Sequence, residues 1–201
     1  MHRIRTEEEL RAILPPPRPT TKKKILDHLD EQGLAFLAQA PYLLLATAGA
    51  DGGIEVSPKG DEPGFVLVED PRTIVIPERV GNNLAFGLSN ILGNSQVGAI
   101  VRRPATGETL RLSGEAEILA DPALIEHFSA NGKPARLAIR IHIRHAYFHC
   151  ARSILRSGLW QPEKWPPAQK ISFGRIIAQE LGGEVSGQAI DDMVDAAYRA
   201  L

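Results

Sequence analysis

A strict alternation of apolar and polar residues in Thr109–Leu119 constrains this chain more than any other feature of its sequence. Every second residue from Leu110 to Ile118 is apolar or glycine, and the residues between them are polar or charged. Successive side chains leave a β-strand on opposite sides, so this period of two indicates a strand with one buried face. The segment therefore predicts a sheet that covers a core on one side only.

Other short apolar runs indicate more strands of the same kind. An Asp-Gly pair at Asp51 and Gly52 separates the first two runs, which is typical of a hairpin turn. The runs are Tyr42–Ala48, Ile54–Ser57, Phe65–Asp70, Thr73–Pro77, Gln96–Arg103 and Leu137–Cys150. Strands and helices do not alternate regularly, so we expect a mainly β fold with α-helices, an antiparallel barrel with helices packed outside it.

Along the sequence, helices are predicted before the barrel strands, between them and after them. Capping-box spacing of Thr6 and Glu9 starts the first helix, and Asp121 followed by Pro122 starts another. The remaining predicted helices are Lys24–Gln39, Asn83–Leu92, Ser172–Leu181 and Gln188–Leu201. We expect one domain over residues 1–201, with N-terminal helices to residue 40, the barrel over 41–150 and a C-terminal extension over 151–201.

Composition excludes several classes of function. The formal net charge is −1, whereas a nucleic-acid-binding domain is usually basic. No apolar stretch approaches the roughly 20 residues that span a bilayer, and the N-terminus lacks an apolar signal core. A single cysteine, Cys150, is expected to be buried and inert, and fits a reducing compartment. We therefore expect a cytoplasmic protein without nucleic-acid or membrane partners.

The turn PERVGNN, Pro77–Asn83, allows two interpretations. Asn82 or Asn83 is a suitable N-cap for the helix that follows, with Arg79 solvated. Alternatively, the free N–H groups of the first helical turn and the Arg79 guanidinium bind an anion. Gly81 would then let the backbone approach a phosphate closely. Both interpretations stay open at this point, and they are compatible.

The segment preceding it, SPKGD, contains a second candidate. Ser57 and Lys59 share a face if the strand continues through Pro58, and both then point toward one ligand. The proline indicates an edge strand or a break. A polar connection with a solvated Lys59 is the alternative.

His142, His145 and His149 lie in the predicted C-terminal strand, and an ideal strand would not bring them to one metal ion. His145 and His149 share a face, but four residues of about 3.3 Å each place them roughly 13 Å apart. His142 has the opposite parity to both. We therefore expect no metal, and place His149 at a polar strand end that faces a pocket. No residue emerges as a catalytic acid, base or nucleophile.

Four motifs together resemble the pyridoxamine 5′-phosphate oxidase-like, FMN-binding split-barrel family. They are SPKGD, IPERVGNN, ETLR (Glu108–Arg111) and HCAR followed by LW (His149–Arg152 and Leu159–Trp160). The similarity extends over roughly Thr6–Pro162 and is greatest to the bacterial flavin-nucleotide-binding branch. It implies a six-stranded antiparallel split barrel and a homodimer with FMN in the groove between subunits.

The resemblance also implies which residues contact the cofactor. Phosphate contacts are expected from the second strand and from the turn before the helix, and further contacts from a later strand and the C-terminal segment. The implied residues are Ser57, Lys59, Arg79, Asn82, Asn83, Thr109, Arg111, His149 and Arg152. The substrate residues of authentic pyridoxamine phosphate oxidases are not recognisable, so the substrate, electron donor and acceptor stay open.

The function expected from this resemblance is that of an FMN-dependent oxidoreductase whose chemistry belongs to the flavin. Two alternatives remain. One is a haem-binding or haem-degrading split barrel, which the C-terminal histidines would suit. The other is a non-catalytic dimeric module that carries a flavin or binds none.

Overall fold

The computed structural model describes residues 3–130, 132–182 and 185–200. Seven strands form one antiparallel sheet. They are β1 (Tyr42–Ala48), β2 (Ile54–Gly60), β3 (Leu67–Asp70), β4 (Thr73–Glu78), β5 (Gln96–Arg102), β6 (Thr109–Leu119) and β7 (Leu137–His149). The helices are α1 (Glu7–Ile13), α2 (Pro19–Lys22), α3 (Glu31–Leu37), α4 (Phe86–Gly93), α5 (Pro122–His127), α6 (Arg152–Ser157), α7 (Phe173–Glu180) and α8 (Gly187–Arg199), with a short 3-10 turn at Pro162–Lys164.

The strand order β2-β1-β5-β6-β7-β4-β3 confirms the antiparallel split barrel. One more strand is present than the resemblance implied, because the four-residue strand β3 pairs with β4. Strand β2 lies at the edge of the sheet, as Pro58 predicted, and pairs only with β1. The sheet curls until Lys59 of β2 contacts Glu78 of β4, although these strands are not hydrogen-bonded neighbours.

The core fills the inside of this curled sheet. The predicted alternation in β6 is confirmed, because Leu110, Leu112 and Ala116 are buried while Arg111 and Glu115 are exposed. Helix α3 adds Phe36 and Leu37 from one end of the core. The largest fully buried side chains include Leu29, Leu43, Leu45, Ile74, Ile76, Val101, Ile139 and Ile141. Complete burial of each such side chain contributes about 1.5–3 kcal/mol relative to exposure.

A bulge between β6 and β7 corrects the predicted parity of the histidines. Ser113 lies opposite His145, but Gly114 lies opposite Ile143, so Arg144 is an extra residue on β7. The extra residue shifts the alternation, and His142 and His145 are both exposed instead of facing opposite ways. Gly114 is required at this place, because a Cβ there would lie 2.0 Å from the carbonyl oxygen of His142.

The predicted long helix over Lys24–Gln39 is wrong. Leu26 instead pairs with Ala146 of β7 in an extended bridge, and a second helix starts only at Glu31. Asp30 caps that helix by accepting a hydrogen bond from the Gly33 N–H at 2.8 Å. Apolar spacing alone predicted one helix, whereas the pairing with β7 and the Asp30 cap divide the segment.

The predicted caps at Thr6 and Asp121 are confirmed. Thr6 accepts a hydrogen bond from the Glu9 N–H at 3.2 Å, and Asp121 accepts one from the Leu124 N–H at 2.9 Å. Each cap satisfies a donor that its helix leaves free.

The chain divides into two compact units, Met1–Trp160 and Gln161–Leu201. In the second unit, helices α7 and α8 cross so closely that a Cβ on Gly174 would lie 1.8 Å from the Gly187 carbonyl oxygen. Asp191 accepts hydrogen bonds from the Ser172 hydroxyl and the Gly174 N–H. Both bonds lower the pKa of the Asp191 carboxyl, and the bond from the Ser172 hydroxyl has the larger effect. Among the described residues, no helix is both long and apolar enough to cross a membrane.

The close approach at Gly114 generates a test of the bulge. Substitution Gly114→Ala places a methyl group against a backbone carbonyl, and should reduce the free energy of unfolding by about 1–3 kcal/mol. The matched control is Gly98→Ala on the neighbouring strand, where the nearest atom to a Cβ is 3.8 Å away. Urea denaturation compares the two variants. Equal stabilities would contradict the tight contact at Gly114.

Candidate functional site

The first group of predicted residues lies where edge strand β2 approaches strand β4. We call this place the seam and define it by Ser57, Lys59, Asp61, Glu78 and Arg79. Strand β2 continues through Pro58, so Ser57 and Lys59 share a face as predicted. Lys59 does not extend into solvent, since only 14% of its side chain is exposed and its ammonium group donates to Glu78.

Arg79 is also held by the protein. Its Nε donates to the Asp61 carboxylate at 2.7 Å, and its Nη1 donates to the Phe128 carbonyl oxygen. The Arg79 side chain is 30% exposed and that of Asp61 is 19% exposed. The guanidinium is therefore fixed in orientation, and each cation of the seam has one carboxylate partner.

The turn after Arg79 corrects the predicted helix cap. Asn82 accepts a hydrogen bond from the Leu84 N–H at 3.1 Å, which forms a local turn. Asn83 and Ala85 both have left-handed φ angles, 59° and 55°, so the helix starts only at Phe86 and without a side-chain cap. The asparagines thus shape the loop before α4 and remain exposed. Gly81 borders open space, because a Cβ there would have no atom within 4 Å.

Strand β2 and helix α4 come together beside the seam. A Cβ on Gly87 in the first turn of α4 would lie 3.3 Å from the Ser57 hydroxyl. The Asn90 amide donates to the Thr47 hydroxyl at 3.2 Å, which ties α4 to β1. The structure therefore brings Ser57, Lys59 and Arg79 near the loop that carries Asn82 and Asn83.

The second group of predicted residues lies on β6, at the end of β7 and just beyond it. Thr109 is paired with His149, and Arg111 with Tyr147. Thr109 is buried, whereas Arg111, His149 and Arg152 are exposed. The Arg111 guanidinium lies over the Tyr147 ring, 5.6 Å from its centroid. These four residues lie on β6, β7 and α6, whereas the seam is formed by β2, β4 and the residues that follow them.

A cavity of about 300 Å³ lies on the outer face of the sheet, the face opposite the core. Its apolar floor comes from β1, β2, β5 and Leu112 of β6, and its polar edge comes from Arg111, Ser113 and Tyr147. The Ser113 hydroxyl lies 3.3 Å from the His145 Nδ1. The apolar lining consists of Leu44, Ala46, Val56, Gly98, Ala99, Ile100 and Leu112. We call this space the sheet cavity; it suits a planar apolar group with a polar end.

The cysteine and the histidines are placed as follows among the described residues. Cys150 is exposed, which corrects the expectation that it is buried. His149 is exposed at the end of β7 and does not line the sheet cavity. Within residues 3–130, 132–182 and 185–200, no three His, Cys, Asp or Glu side chains gather closely enough to hold a metal ion.

Sequence reasoning missed the carboxylates that hold the two cations. Asp61 ends the SPKGD motif and Glu78 precedes Arg79, so each acid lies within two residues of a candidate cation. Each of the two segments carries a cation and an acid close together, and this pattern could have indicated ion pairs between the two strand ends. Lys24 was also missed, because its position beside Tyr147 depends on the pairing of Leu26 with β7.

Comparison with known proteins connects this geometry to one family. The family described as pyridoxamine 5′-phosphate oxidase matches residues 29–150, which include β1 to β7 and both groups of predicted residues except Arg152. That match covers more than half of the chain. No curated protein matches the chain.

Several solved structures are similar to it at low sequence identity. HupZ from Group A Streptococcus is 19% identical, with a TM-score of 0.48, over 59% of this chain and 93% of that one. General stress protein 26 from Bacillus anthracis is 13% identical, with a TM-score of 0.46, over 57% and 88%. A Clostridium acetobutylicum protein related to general stress protein 26 of B. subtilis (pyridoxinephosphate oxidase family) is 14% identical, with a TM-score of 0.46, over 59% and 86%.

The ion pair between Lys59 and Glu78 generates a test of the seam. Either Lys59→Met or Glu78→Gln leaves one half-buried charged group without its partner, and should cost about 1–3 kcal/mol of unfolding free energy. The double variant should cost less than the sum of the two single variants. Urea denaturation of all four proteins measures the difference. Additive effects would show that the pair does not couple β2 to β4.

Proposed function

The chain belongs to the pyridoxamine 5′-phosphate oxidase family, a family of flavin-binding split barrels, and from this premise we propose that it binds FMN and acts as an oxidoreductase. The observation that carries the proposal is the family match over residues 29–150. The seam supports it, since cations, a hydroxyl and a glycine with open space around it occur together beside α4. These are the groups that bind a phosphate.

The seam residues fit a phosphate only if the phosphate shares Lys59 and Arg79 with the carboxylates that already contact them. Lys59 and Arg79 already contact Glu78 and Asp61, so a bound phosphate shares each cation with a carboxylate. The carboxylates fix the cations in position, which reduces the ordering cost of binding, but their negative charge opposes the anion. Ser57, Asn82 and Asn83 add neutral hydrogen-bonding groups that carry no such opposition.

The remaining predicted residues are proposed to contact the flavin beyond its phosphate. Thr109, Arg111, His149 and Arg152 lie on β6, at the end of β7 and at the start of α6. When bound, FMN supplies hydride or electron transfer at its ring. The protein holds and orients the cofactor and excludes water, and we assign no side chain as a catalytic acid or base.

The proposed assembly is a homodimer with FMN between the subunits. Edge strand β2 presents Ile54 and Val56 on the outer face, with 64% and 54% of each residue exposed. Leu44 and Ile100 continue the same apolar face on β1 and β5. An exposed apolar face of this kind is typical of a protein interface, and a second copy covers it here in our proposal.

We also propose a cytoplasmic location. The chain has a single cysteine and can form no disulfide within itself, which is usual for proteins of a reducing compartment. Recovery of the protein in the cytoplasmic fraction of its native cell would support this location, and recovery outside that fraction would contradict it.

Binding of FMN by the two seam cations can be tested directly. The purified protein should show flavin absorption bands or take up added FMN, and the double change Lys59→Ala and Arg79→Ala should release it. Loss of both cations should weaken FMN binding by at least about a hundredfold, tenfold for each. Fluorescence titration measures the affinity, with the exposed Lys22→Ala as the control. A colourless protein that binds no FMN contradicts the proposal, and a Soret band would indicate haem instead.

The proposed homodimer interface can be tested at its exposed apolar face. Substitution Ile54→Glu places a charge on the exposed apolar face of β2 and should convert the dimer to a monomer. The control is Leu92→Glu on α4, where 81% of the residue is exposed, and this variant should remain a dimer. Light scattering after size-exclusion chromatography gives the mass of each. A dimeric Ile54→Glu variant would place the interface elsewhere.

A further inference from the structure

Each cation of the seam already has a carboxylate partner. The Lys59 ammonium donates to Glu78, and the Arg79 guanidinium contacts Asp61 through Nε at 2.7 Å and through Nη2 at 2.5 Å. The formal charges of these four side chains cancel. The seam therefore closes without a bound anion, and a phosphate that binds there meets two carboxylates as well as two cations.

The two carboxylates differ in what they do for their cations. A guanidinium is a planar fork, and its N–H groups point toward an anion only in a suitable orientation. Asp61 fixes that orientation together with the Phe128 carbonyl oxygen, which accepts from the Arg79 Nη1. Asp61 therefore offsets the repulsion that it exerts on a phosphate, because it holds the fork of Arg79 in place.

Glu78 gives its cation no comparable benefit. The Lys59 ammonium is a compact charge whose three N–H donors turn about one bond, so it needs no partner to fix its orientation. Strand β2 already positions this side chain, since Lys59 pairs with Leu43 of β1 and only 14% of its side chain is exposed. The Glu78 carboxylate thus opposes a second anion at Lys59 without preparing the site for it.

The position of Glu78 makes this opposition effective. Its backbone is fixed by pairing with Leu137 and by a hydrogen bond from the Arg136 N–H to its carbonyl oxygen at 2.8 Å. Its side chain is 21% exposed, so water and salt screen the carboxylate only in part. A phosphate monoester carries about −1.5 to −2 charges at pH 7, and a carboxylate that shares Lys59 with it repels it.

We propose that Glu78 limits the affinity of the seam for the phosphate of FMN, so that the cofactor binds reversibly to a barrel that is already closed. This inference rests on the proposed function and adds a control on how tightly the same site holds its cofactor. Glu78 stabilises the fold through Lys59 and opposes the cofactor through the same contact. Removal of its charge should therefore lower the free energy of unfolding and raise the affinity for FMN, whereas loss of a merely structural residue would weaken both.

The test is Glu78→Gln, which removes the charge and keeps an oxygen that accepts a hydrogen bond from Lys59. Fluorescence titration of the cofactor-free protein should show that the variant binds FMN about tenfold more tightly than the unchanged protein does. Urea denaturation without FMN should show that the variant is the less stable of the two. Circular dichroism verifies that it is folded.

Two matched controls remove one negative charge elsewhere. Asp61→Asn acts on the other ion pair of the seam, and should gain less affinity than Glu78→Gln because Arg79 loses a contact that orients it. Glu55→Gln acts on the same strand, four residues and about 13 Å from Lys59, which exceeds the Debye length of about 8 Å at physiological ionic strength. Glu55 is exposed, and its variant should bind FMN as the unchanged protein does.

Inorganic phosphate serves as a second probe, because its binding does not depend on recognition of the flavin. Thermal unfolding is compared in sodium phosphate and in sodium chloride of equal ionic strength. Phosphate should raise the melting temperature of Glu78→Gln more than that of the unchanged protein. If no variant binds FMN and phosphate still has this effect, the proposed cofactor is wrong, and the limit that Glu78 sets on phosphate binding stands.

Three results would overturn the inference. If Glu78→Gln binds FMN no more tightly than the unchanged protein, the carboxylate does not oppose the cofactor, and the proposed function stays in place. An equal gain in Asp61→Asn or in Glu55→Gln would reduce the effect to net charge. Absence of FMN binding from every variant, with no greater response of Glu78→Gln to phosphate, would exclude both the inference and the proposed cofactor.

Discussion

The ion pairs across the seam are the interactions on which the remaining geometry depends. A seven-stranded sheet in the order β2-β1-β5-β6-β7-β4-β3 has two free edges, and the hydrogen bonds of the sheet do not join β2 to β4. The contacts from Lys59 to Glu78 and from Arg79 to Asp61 bring these strands together. Ser57 of the same edge strand lies beside the first turn of α4, where a Cβ on Gly87 would be 3.3 Å from its hydroxyl. The curl of the sheet therefore also brings the candidate phosphate residues together.

Most of the barrel could be predicted from the sequence because its signals are local. Alternation in Thr109–Leu119 and the short apolar runs gave the strand positions, and Pro58 gave the edge. Where a contact distant in sequence decided the structure, the prediction failed. Leu26 pairs with Ala146, so the helix expected over Lys24–Gln39 is divided. Left-handed φ angles at Asn83 and Ala85 delay α4, a conformation that a non-glycine sequence does not reveal.

The same difference between local signals and distant contacts decides which features of the candidate site could be predicted. Lys59 and Arg79 were recognised as cations, and the shared face of Ser57 and Lys59 followed from strand parity. Their carboxylate partners were not recognised, because a pairing across the seam depends on how far the sheet curls. Lys24 was not recognised for a similar reason, since only the bridge to β7 carries it to Tyr147. Sequence thus indicates the chemistry of a residue better than the charge that surrounds it.

The contrast between paired and unpaired cations bears on how the protein divides its binding tasks. A cation with a carboxylate partner is held in a fixed orientation, which lowers the ordering cost of binding, but the pair is nearly neutral and attracts an anion less strongly. A cation without such a partner keeps its full charge toward solvent and attracts anions over a longer range, which suits a ligand that enters and leaves. The seam has the first character and the edge of the sheet cavity has the second. The fold therefore separates two kinds of cation that the sequence motifs alone do not distinguish.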